Sequence, residues 1–192
     1  LMYLLDDASR VHAILEAYAQ GTADLAVRQA EHGVDAVLIS SAFAGGGFIS
    51  PQQYQEFVLP YECRVSQAVA ETGVPVYTHT CGKIGDRLEL MVETGIQGID
   101  TLDPPPLGTV DLDDAKKRVG KELFFKGNID AVNTLLNKPR EFVRRDALQR
   151  LAIGSCGGGY ILSSACSVSP RVPSENLTVL VEAAQQFGTP GD

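Results

Sequence analysis

Residues 74–82 read VPVYTHTCG, an apolar and β-branched run that ends in a histidine and a cysteine. The segment 74–78 predicts a buried β-strand, because Val, Tyr and Thr favour the pleated conformation of a sheet. Side chains two positions apart on a strand point to the same face. We therefore expect His79 and Cys81 to present an imidazole nitrogen and a sulfur to one point in space.

Similar apolar runs recur on both sides of this segment and alternate with helical patterns. Further strands are predicted at 35–40, 98–102, 122–126 and 159–165. Helices are predicted over 7–20, 22–32, 51–71 with a bend at Pro60, 83–94, 111–119, 139–153 and 173–187. Strand–helix units of this kind predict an α/β fold with a parallel sheet. We interpret them as an incomplete parallel β/α barrel of the TIM type, with about five units.

An open, doubly wound sheet would show the same alternation and would also place its site at the strand ends. However, no Gly-x-Gly-x-x-Gly opens a helix in this sequence, which argues against dinucleotide binding. The triplet 45–47 is Gly-Gly-Gly and lacks the Lys-Ser/Thr of a phosphate loop. We expect this triplet and the second one, at 157–159, to form flexible loops.

Size and composition limit the class of protein. A chain of 192 residues has the length of one domain, and we treat 1–192 as a single domain. The net charge of −8 and the pI of about 4.9 argue against the basic surface that nucleic acid binds, so we expect no nucleic-acid partner. No apolar run approaches the roughly 20 residues of a membrane span, so we expect no membrane contact. Four cysteines are too few for a disulfide scaffold and indicate a reducing, cytoplasmic location.

A further cysteine, Cys166, follows the apolar run 159–165. If the two strand ends lie close together, His79, Cys81 and Cys166 suit a zinc ion with three protein ligands and one open position. That arrangement is typical of catalytic rather than structural zinc. The alternative is that these cysteines are core residues, because buried Cys is common. Cys156, beside the second glycine triplet, is a less favoured alternative ligand.

Polar residues also follow the other predicted strands. Asp103, Asn128 and Asp130 fall on strand-end loops, where they are candidates to orient His79 through its other ring nitrogen or to contact a substrate. The plainer alternatives are that Asp103 only turns its loop and that Asn128 only satisfies backbone groups.

The order of these segments resembles the uroporphyrinogen decarboxylase superfamily. The resemblance rests on the stretches 33–39 (GVDAVLI), 49–51 (ISP), 57–61 (FVLPY), 79–82 (HTCG), 110–116 (VDLDDAK), 126–130 (KGNID) and 172–177 (VPSENL). It covers almost the whole chain and implies a TIM-type barrel of which this chain is the C-terminal part. Three further strands are then expected before Leu1, because 185–190 is typical of a helix end that runs into a tail.

Two branches of this superfamily differ in their site residues. The decarboxylases use no metal, have a Gly-His-Gly-type loop after the last strand and carry their key Asp in the N-terminal part of the barrel. The zinc methyltransferases have a His-x-Cys followed by a distant Cys. This chain has His79-x-Cys81, and it has Cys166 in place of the decarboxylase loop, so it resembles the methyltransferase branch. It departs from its relatives at 40–42, Ser-Ser-Ala, where an Asp is frequent.

The resemblance implies a zinc-dependent methyltransferase that moves a methyl group from a methyl-corrinoid to a small zinc-activated thiol such as coenzyme M, with a corrinoid protein as a candidate partner. Asp103 and Asn128 are then the candidate catalytic residues. One alternative is a metal-free decarboxylase of a tetrapyrrole, which would need more cations than Lys83, Lys126 and Arg171 to hold the carboxylates. A second alternative is a non-catalytic barrel fragment. An incomplete barrel is expected to self-associate through its open sheet edge.

Overall fold

The computed structural model of the chain describes residues 2–187. The strands are β1 (Val37–Ser40), β2 (Val76–His79), β3 (Gly98–Thr101), β4 (Phe124–Ile129) and β5 (Tyr160–Ser164). The helices are α1 (Tyr3–Asp6), α2 (Ala8–Glu31), α3 (Pro51–Phe57), α4 (Leu59–Ala70), α5 (Leu88–Glu93), α6 (Leu112–Val119), α7 (Arg140–Gly154) and α8 (Ser174–Phe187), with a π-helical segment at Ala131–Leu136.

The five strands form one parallel sheet in the order β1-β2-β3-β4-β5, with at least one helix after every strand. This confirms the predicted α/β fold, and every predicted strand is present with small differences at its ends. Within residues 2–187 the sheet does not close, because β1 pairs only with β2 and β5 pairs only with β4. The architecture is therefore that of an incomplete β/α barrel.

The register of the sheet places one residue of each strand in a single row. Ser40 pairs with His79, His79 with Asp100, Asp100 with Lys126, and Lys126 with Ile161. Residues paired directly across parallel strands point to the same face of the sheet. Four polar side chains therefore stand side by side, and we call Ser40, His79, Asp100 and Lys126 the polar row.

The opposite face of the sheet carries the core. Val76, Ile99 and Phe125 point away from the polar row and are almost fully buried. They pack in one cluster with residues of α4, α5 and α6, while a second cluster joins the end of β4 to α7 and α8. Burying one large apolar side chain contributes about 1.5–3 kcal/mol. The helix layer thus fixes which face of each strand is covered and leaves the polar row on the other face.

Helix α2 differs from the prediction. The sequence predicts two helices, over 7–20 and 22–32, but the chain forms one helix that continues through Gly21. Glycine in a helix interior costs about 1 kcal/mol relative to alanine. Packing of one face of α2 into the core offsets this cost through the buried residues Ala19, Ala23, Ala26 and Ala30.

The predicted helix over 51–71 is divided in two at Val58. The Ser50 side chain caps α3 by accepting from the Gln53 backbone N–H, and the Gln53 side chain accepts from the Ser50 backbone N–H, which completes a capping box. The break lies before Pro60 because Pro60 occupies the first turn of α4, where no backbone N–H is needed. The π-helical segment after β4 has no counterpart in the prediction.

An apolar groove of about 710 Å³ lies along β1, between that strand and the inner face of α2. Val11 and Leu15 of α2, Leu38 of β1 and Val65 of α4 are among its lining residues. The predicted helix end at 185–187 is the end of α8, whereas residues 188–190 of the predicted tail lie outside the described residues. None of the described helices has the length and apolar character that crossing a membrane requires.

Candidate metal centre

The three predicted ligands come together on the concave face of the sheet. His79 is the last residue of β2, and Cys81 follows it by two positions. Cys166 lies two residues beyond the end of β5. In a flat sheet β2 and β5 would be about 14 Å apart, at about 4.8 Å per strand. Their side chains meet because the sheet curls as a barrel does.

The separations between the three ligand atoms are short. Cys81 Sγ lies 3.8 Å from Cys166 Sγ. His79 Nε2 lies 3.2 Å from the first of these sulfurs and 3.9 Å from the second. Within residues 2–187 these three residues are the one group of at least three His, Cys, Asp or Glu residues found with suitable spacing for a metal ion.

The donor geometry fits zinc. Zinc–sulfur bonds of about 2.3 Å and a zinc–nitrogen bond of about 2.0 Å at tetrahedral angles would place the sulfurs about 3.8 Å apart and each sulfur about 3.6 Å from the nitrogen. The observed separations of 3.8, 3.2 and 3.9 Å are close to these values. An imidazole and two thiols would occupy three corners of the tetrahedron and leave the fourth open.

The electrostatics of the cluster also favour a bound cation. Burial, the Cys166 sulfur and the Asp103 and Asp100 carboxylates together raise the pKa of the Cys81 thiol to about 12, with burial the largest cause. Without a cation this sulfur is held as a neutral thiol. A dication between the sulfurs would reverse that preference, because a thiol releases its proton when its sulfur binds a metal.

The other ring nitrogen of His79 contacts residues that the sequence analysis missed. Nδ1 lies 3.1 Å from Asp100 Oδ2 and 3.1 Å from Thr101 Oγ1. Asp100 Oδ1 in turn accepts a hydrogen bond of 2.7 Å from Lys126 Nζ. Asp100 interrupts the apolar segment 98–102, and a charged residue inside a buried strand was a signal that could have identified it.

The residues predicted to orient His79 have other partners. Asp103 is 3% exposed and accepts a hydrogen bond of 2.6 Å from the backbone N–H of Gly82. Burial raises the pKa of the Asp103 carboxyl, although the hydrogen bond from Gly82 opposes this. Asp103 therefore holds the loop that carries Cys81, close enough to the cluster for its charge to act on that sulfur. The prediction that it contacts His79 through Nδ1 is wrong.

Asn128 and Asp130 are also engaged elsewhere. Asn128 is buried, donates a hydrogen bond of 3.0 Å to the Leu102 carbonyl and accepts one of 2.7 Å from Arg150. Asp130 caps the π-helical segment by accepting from the backbone of Val132 and Asn133. Neither side chain forms a hydrogen bond with His79, because Leu102 and Arg150 engage Asn128 and the backbone that follows Asp130 engages its carboxylate.

Cys156 is exposed and precedes β5, so it lies at the opposite end of that strand from Cys166. The structure thus keeps the alternative ligand Cys156 away from the cluster.

In the glycine triplet 45–47, Gly45 and Gly46 are packed against the loop that carries Cys81, contrary to the prediction of a flexible loop. The Gly46 N–H donates a hydrogen bond of 2.6 Å to the Lys83 carbonyl. A Cβ atom on Gly45 would overlap the carbonyl oxygen of Cys81. The loop after β1 and the loop after β2 therefore approach each other more closely than any side chain at position 45 would allow.

A parallel sheet with its reactive side chains at the carboxyl ends of the strands is the architecture of a β/α-barrel enzyme. The chain belongs to the uroporphyrinogen decarboxylase family, since the family profile described as Uroporphyrinogen decarboxylase (URO-D) matches residues 1–187. This confirms the superfamily that the sequence motifs indicated.

The curated relatives and a solved structure carry different names. The chain is 32% identical to a uroporphyrinogen decarboxylase of Legionella pneumophila (strain Corby) over 191 residues, which are 97% of this chain and 50% of that protein. It is also 32% identical to a uroporphyrinogen decarboxylase of a Nostoc species over 183 residues, which are 94% of this chain and 49% of that protein. It thus spans about half the length of the curated relatives it matches.

The fold is similar to that of a methyltransferase from Methanosarcina mazei, with a TM-score of 0.83 and 21% identity. The match covers 97% of this chain and 52% of that chain. At this identity the likeness shows the fold, namely about half of a β/α barrel.

Proposed function

We propose that this chain is the zinc- and thiol-binding part of a methyltransferase that moves a methyl group from a methyl-corrinoid to a small thiol. The observation that carries the proposal is the cluster of His79, Cys81 and Cys166, whose three ligand atoms lie within 4.8 Å of one another. A metal-free decarboxylase has no use for two thiols and an imidazole at such separations.

Different residues of the chain would bind the zinc and accept the thiol proton in this reaction. His79, Cys81 and Cys166 would hold zinc from three sides and leave the fourth side open to the acceptor thiol. Zinc, when bound, supplies a positive charge that favours the thiolate form of that thiol. The thiol proton leaves towards Asp103, whose Oδ1 accepts none of the hydrogen bonds found within residues 2–187. Burial raises the pKa of this carboxyl, which suits it to receive a proton.

The methyl transfer itself balances as a displacement at carbon. A sulfur lone pair of the acceptor would form the new S–CH₃ bond, and the methyl-corrinoid, as the methyl donor, would keep the electron pair of the bond that breaks at the methyl carbon. The concave face of the sheet contributes by holding the acceptor in line with the methyl group. The corrinoid partner is part of the proposal and follows from the superfamily branch that the His-x-Cys and distant Cys resemble.

A second candidate is the decarboxylase activity in the names of the relatives at 32% identity. Such an enzyme must hold several carboxylates with cations. Lys126, which stands in the polar row, is already paired with Asp100 at 2.7 Å. Lys83 and Arg171 are exposed. The described half of the site therefore offers little positive charge to a polyacid, and this observation favours the methyltransferase.

The proposal is tested by the zinc content and zinc affinity of the purified chain, with Cys166→Ser and Cys156→Ser as a matched pair. A four-ligand zinc site is worth about 10–16 kcal/mol, or about 3–4 kcal/mol per ligand. Removing one thiolate should therefore weaken zinc binding by about 10²- to 10³-fold. The exposed Cys156 lies outside the cluster, so its replacement should change nothing.

Near-zero zinc in the wild-type chain, or equal affinities for the two variants, contradicts the metal centre. The activity is then tested on the whole protein with two assays, methyl transfer from methylcobalamin to a small thiol and release of CO₂ from a tetrapyrrole acid. Zinc-independent CO₂ release without methyl transfer would establish the second candidate instead.

A further inference from the structure

We propose that Asp100, held in place by Lys126, is the positioning residue of His79. It fixes the imidazole in the tautomer with the proton on Nδ1, so that the Nε2 lone pair faces the two sulfurs. The tautomer is a property of the chain alone, whereas its effect on zinc rests on the function proposed above.

The three residues form a continuous chain of contacts along the polar row. Lys126 Nζ lies 2.7 Å from Asp100 Oδ1, and Asp100 Oδ2 lies 3.1 Å from His79 Nδ1. They come from β4, β3 and β2 and are direct partners in the sheet register. Their positions are therefore set by backbone pairing between strands. The side chains of His79 and Asp100 are 19% and 11% exposed, which limits competition from water.

The contact with Asp100 decides where the ring proton lies. An ionised carboxylate can only accept hydrogen bonds, so a neutral imidazole that contacts it through Nδ1 must carry its proton there. The Thr101 hydroxyl, also 3.1 Å from Nδ1, can either donate or accept and does not select a tautomer. Nε2 is then unprotonated and lies 3.2 Å from Cys81 Sγ. This is the form of histidine that a metal requires.

Lys126 fixes the position of the Asp100 carboxylate, which accepts the proton of His79 Nδ1 in a hydrogen bond. With Oδ1 bound to Lys126 and Oδ2 directed at His79, both oxygens of Asp100 are occupied. Asp100 therefore reaches a metal only through the imidazole and is not itself a ligand. The ammonium also compensates the charge of a nearly buried carboxylate, which would otherwise carry a large desolvation cost. A carboxylate behind a metal-binding histidine typically raises metal affinity about 10- to 100-fold.

The first test is the tautomer of His79 in the metal-free chain, read from ring ¹⁵N–¹H correlations at alkaline pH. The chain has three histidines, and a His79→Asn variant assigns the signal. We expect the Nδ1–H form in the wild type and in Thr101→Val. Asp100→Asn should keep it, because its amide oxygen can still accept, and Asp100→Ala should lose it. An Nε2–H form in the wild type, or an unchanged tautomer in Asp100→Ala, overturns the proposal.

The double variant Asp100→Ala/Lys126→Met is a control for misfolding of Asp100→Ala. It removes both charges together and therefore leaves no unpaired ammonium. It should also lose the Nδ1–H preference while keeping the circular dichroism spectrum of the wild type. A double variant that folds and retains the Nδ1–H form contradicts the role of Asp100 as firmly as the single variant would.

The second test is zinc affinity by chelator competition. Asp100→Ala should bind zinc about 10- to 100-fold more weakly than the wild type. Lys126→Met should cause a smaller loss, and adding it to Asp100→Ala should cause none, because it acts through that carboxylate. Failure of the proposed function and failure of this inference give different results. Absence of zinc from the wild type refutes the proposed function and leaves the tautomer result standing, while tight zinc binding unaffected by Asp100→Ala refutes this inference alone.

Discussion

The substitution Gly45→Ala tests the close approach of two loops at the metal centre. A Cβ atom at position 45 would overlap the carbonyl oxygen of Cys81 and would lie 3.5 Å from its carbonyl carbon and 3.6 Å from the Lys83 carbonyl oxygen. The contacted atoms of Cys81 and Lys83 all belong to the backbone, so a change of side-chain rotamer cannot relieve the overlap. The loop after β1 and the loop that carries Cys81 must separate.

The cost follows from that separation. Restoring an ordinary contact of about 3.5 Å requires a shift of roughly 1 Å. Overpacking of this kind destabilises by about 1–3 kcal/mol. The hydrogen bond from Gly46 to Lys83 would be strained or lost, which adds about 1 kcal/mol. We expect the free energy of unfolding to fall by about 2–4 kcal/mol. Zinc affinity should fall as well, because a 1 Å shift of Cys81 is nearly half of a zinc–sulfur bond of about 2.3 Å.

The assay is urea denaturation of the metal-free chain together with chelator competition for zinc. Gly47→Ala is the matched control, since a Cβ atom there meets no heavy atom within 4 Å. That variant should match the wild type within about 0.5 kcal/mol. Equal stability of the two variants would refute the argument that the triplet is packed. Equal stability loss in both would show that the triplet acts through flexibility rather than close contact.

Two further predictions concern the same end of the molecule. Burial raises the pKa of Glu62, which accepts hydrogen bonds from Ser41 and Tyr54. The folded chain therefore keeps this proton to a higher pH than the unfolded chain, whose Glu pKa is about 4.3. Stability contributed by the group is present below about pH 4.3 and is lost as the pH rises through the folded pKa. In urea denaturation, the free energy of unfolding of Glu62→Gln should rise relative to that of the wild type as the pH increases across this range. A difference between the two that does not change with pH contradicts the prediction. The free edge of β1 and the apolar groove beside it also predict self-association with a second copy of the chain, and a concentration-independent monomer mass in sedimentation equilibrium would speak against it.

The strands and the direction of their polar ends could be predicted from the sequence because both depend on local rules. Apolar β-branched runs bounded by glycine form strands, and a period of two puts His79 and Cys81 on one face. That Cys166 joins them depends on the curl of the whole sheet, which no local pattern contains. The sequence motif and the family resemblance suggested it, and the 3.8 Å separation of the sulfurs shows the proximity.

Other features of the centre depend on contacts between distant segments. Asp100 lies behind His79 because of strand register, which is set by the packing of the helices on the other face. Gly45 is packed because a neighbouring loop lies against it. Gly21 stays helical because α2 buries a row of alanines. In each case a tertiary contact overrides the preference of the residue type, so reasoning from local propensity could not find it.

The two sulfurs of the cluster are 85 residues apart along the chain and lie just beyond the ends of the second and fifth strands. An ion held between them would be a cross-link over a long loop, comparable in its effect on the unfolded chain to a disulfide that closes the same span. It would link the end of β2 to the end of β5 and restrain β3 and β4, which lie between them. Metal binding and the curvature of the sheet are then thermodynamically coupled. A molecule that flattens the sheet on binding would therefore lower the affinity for the ion.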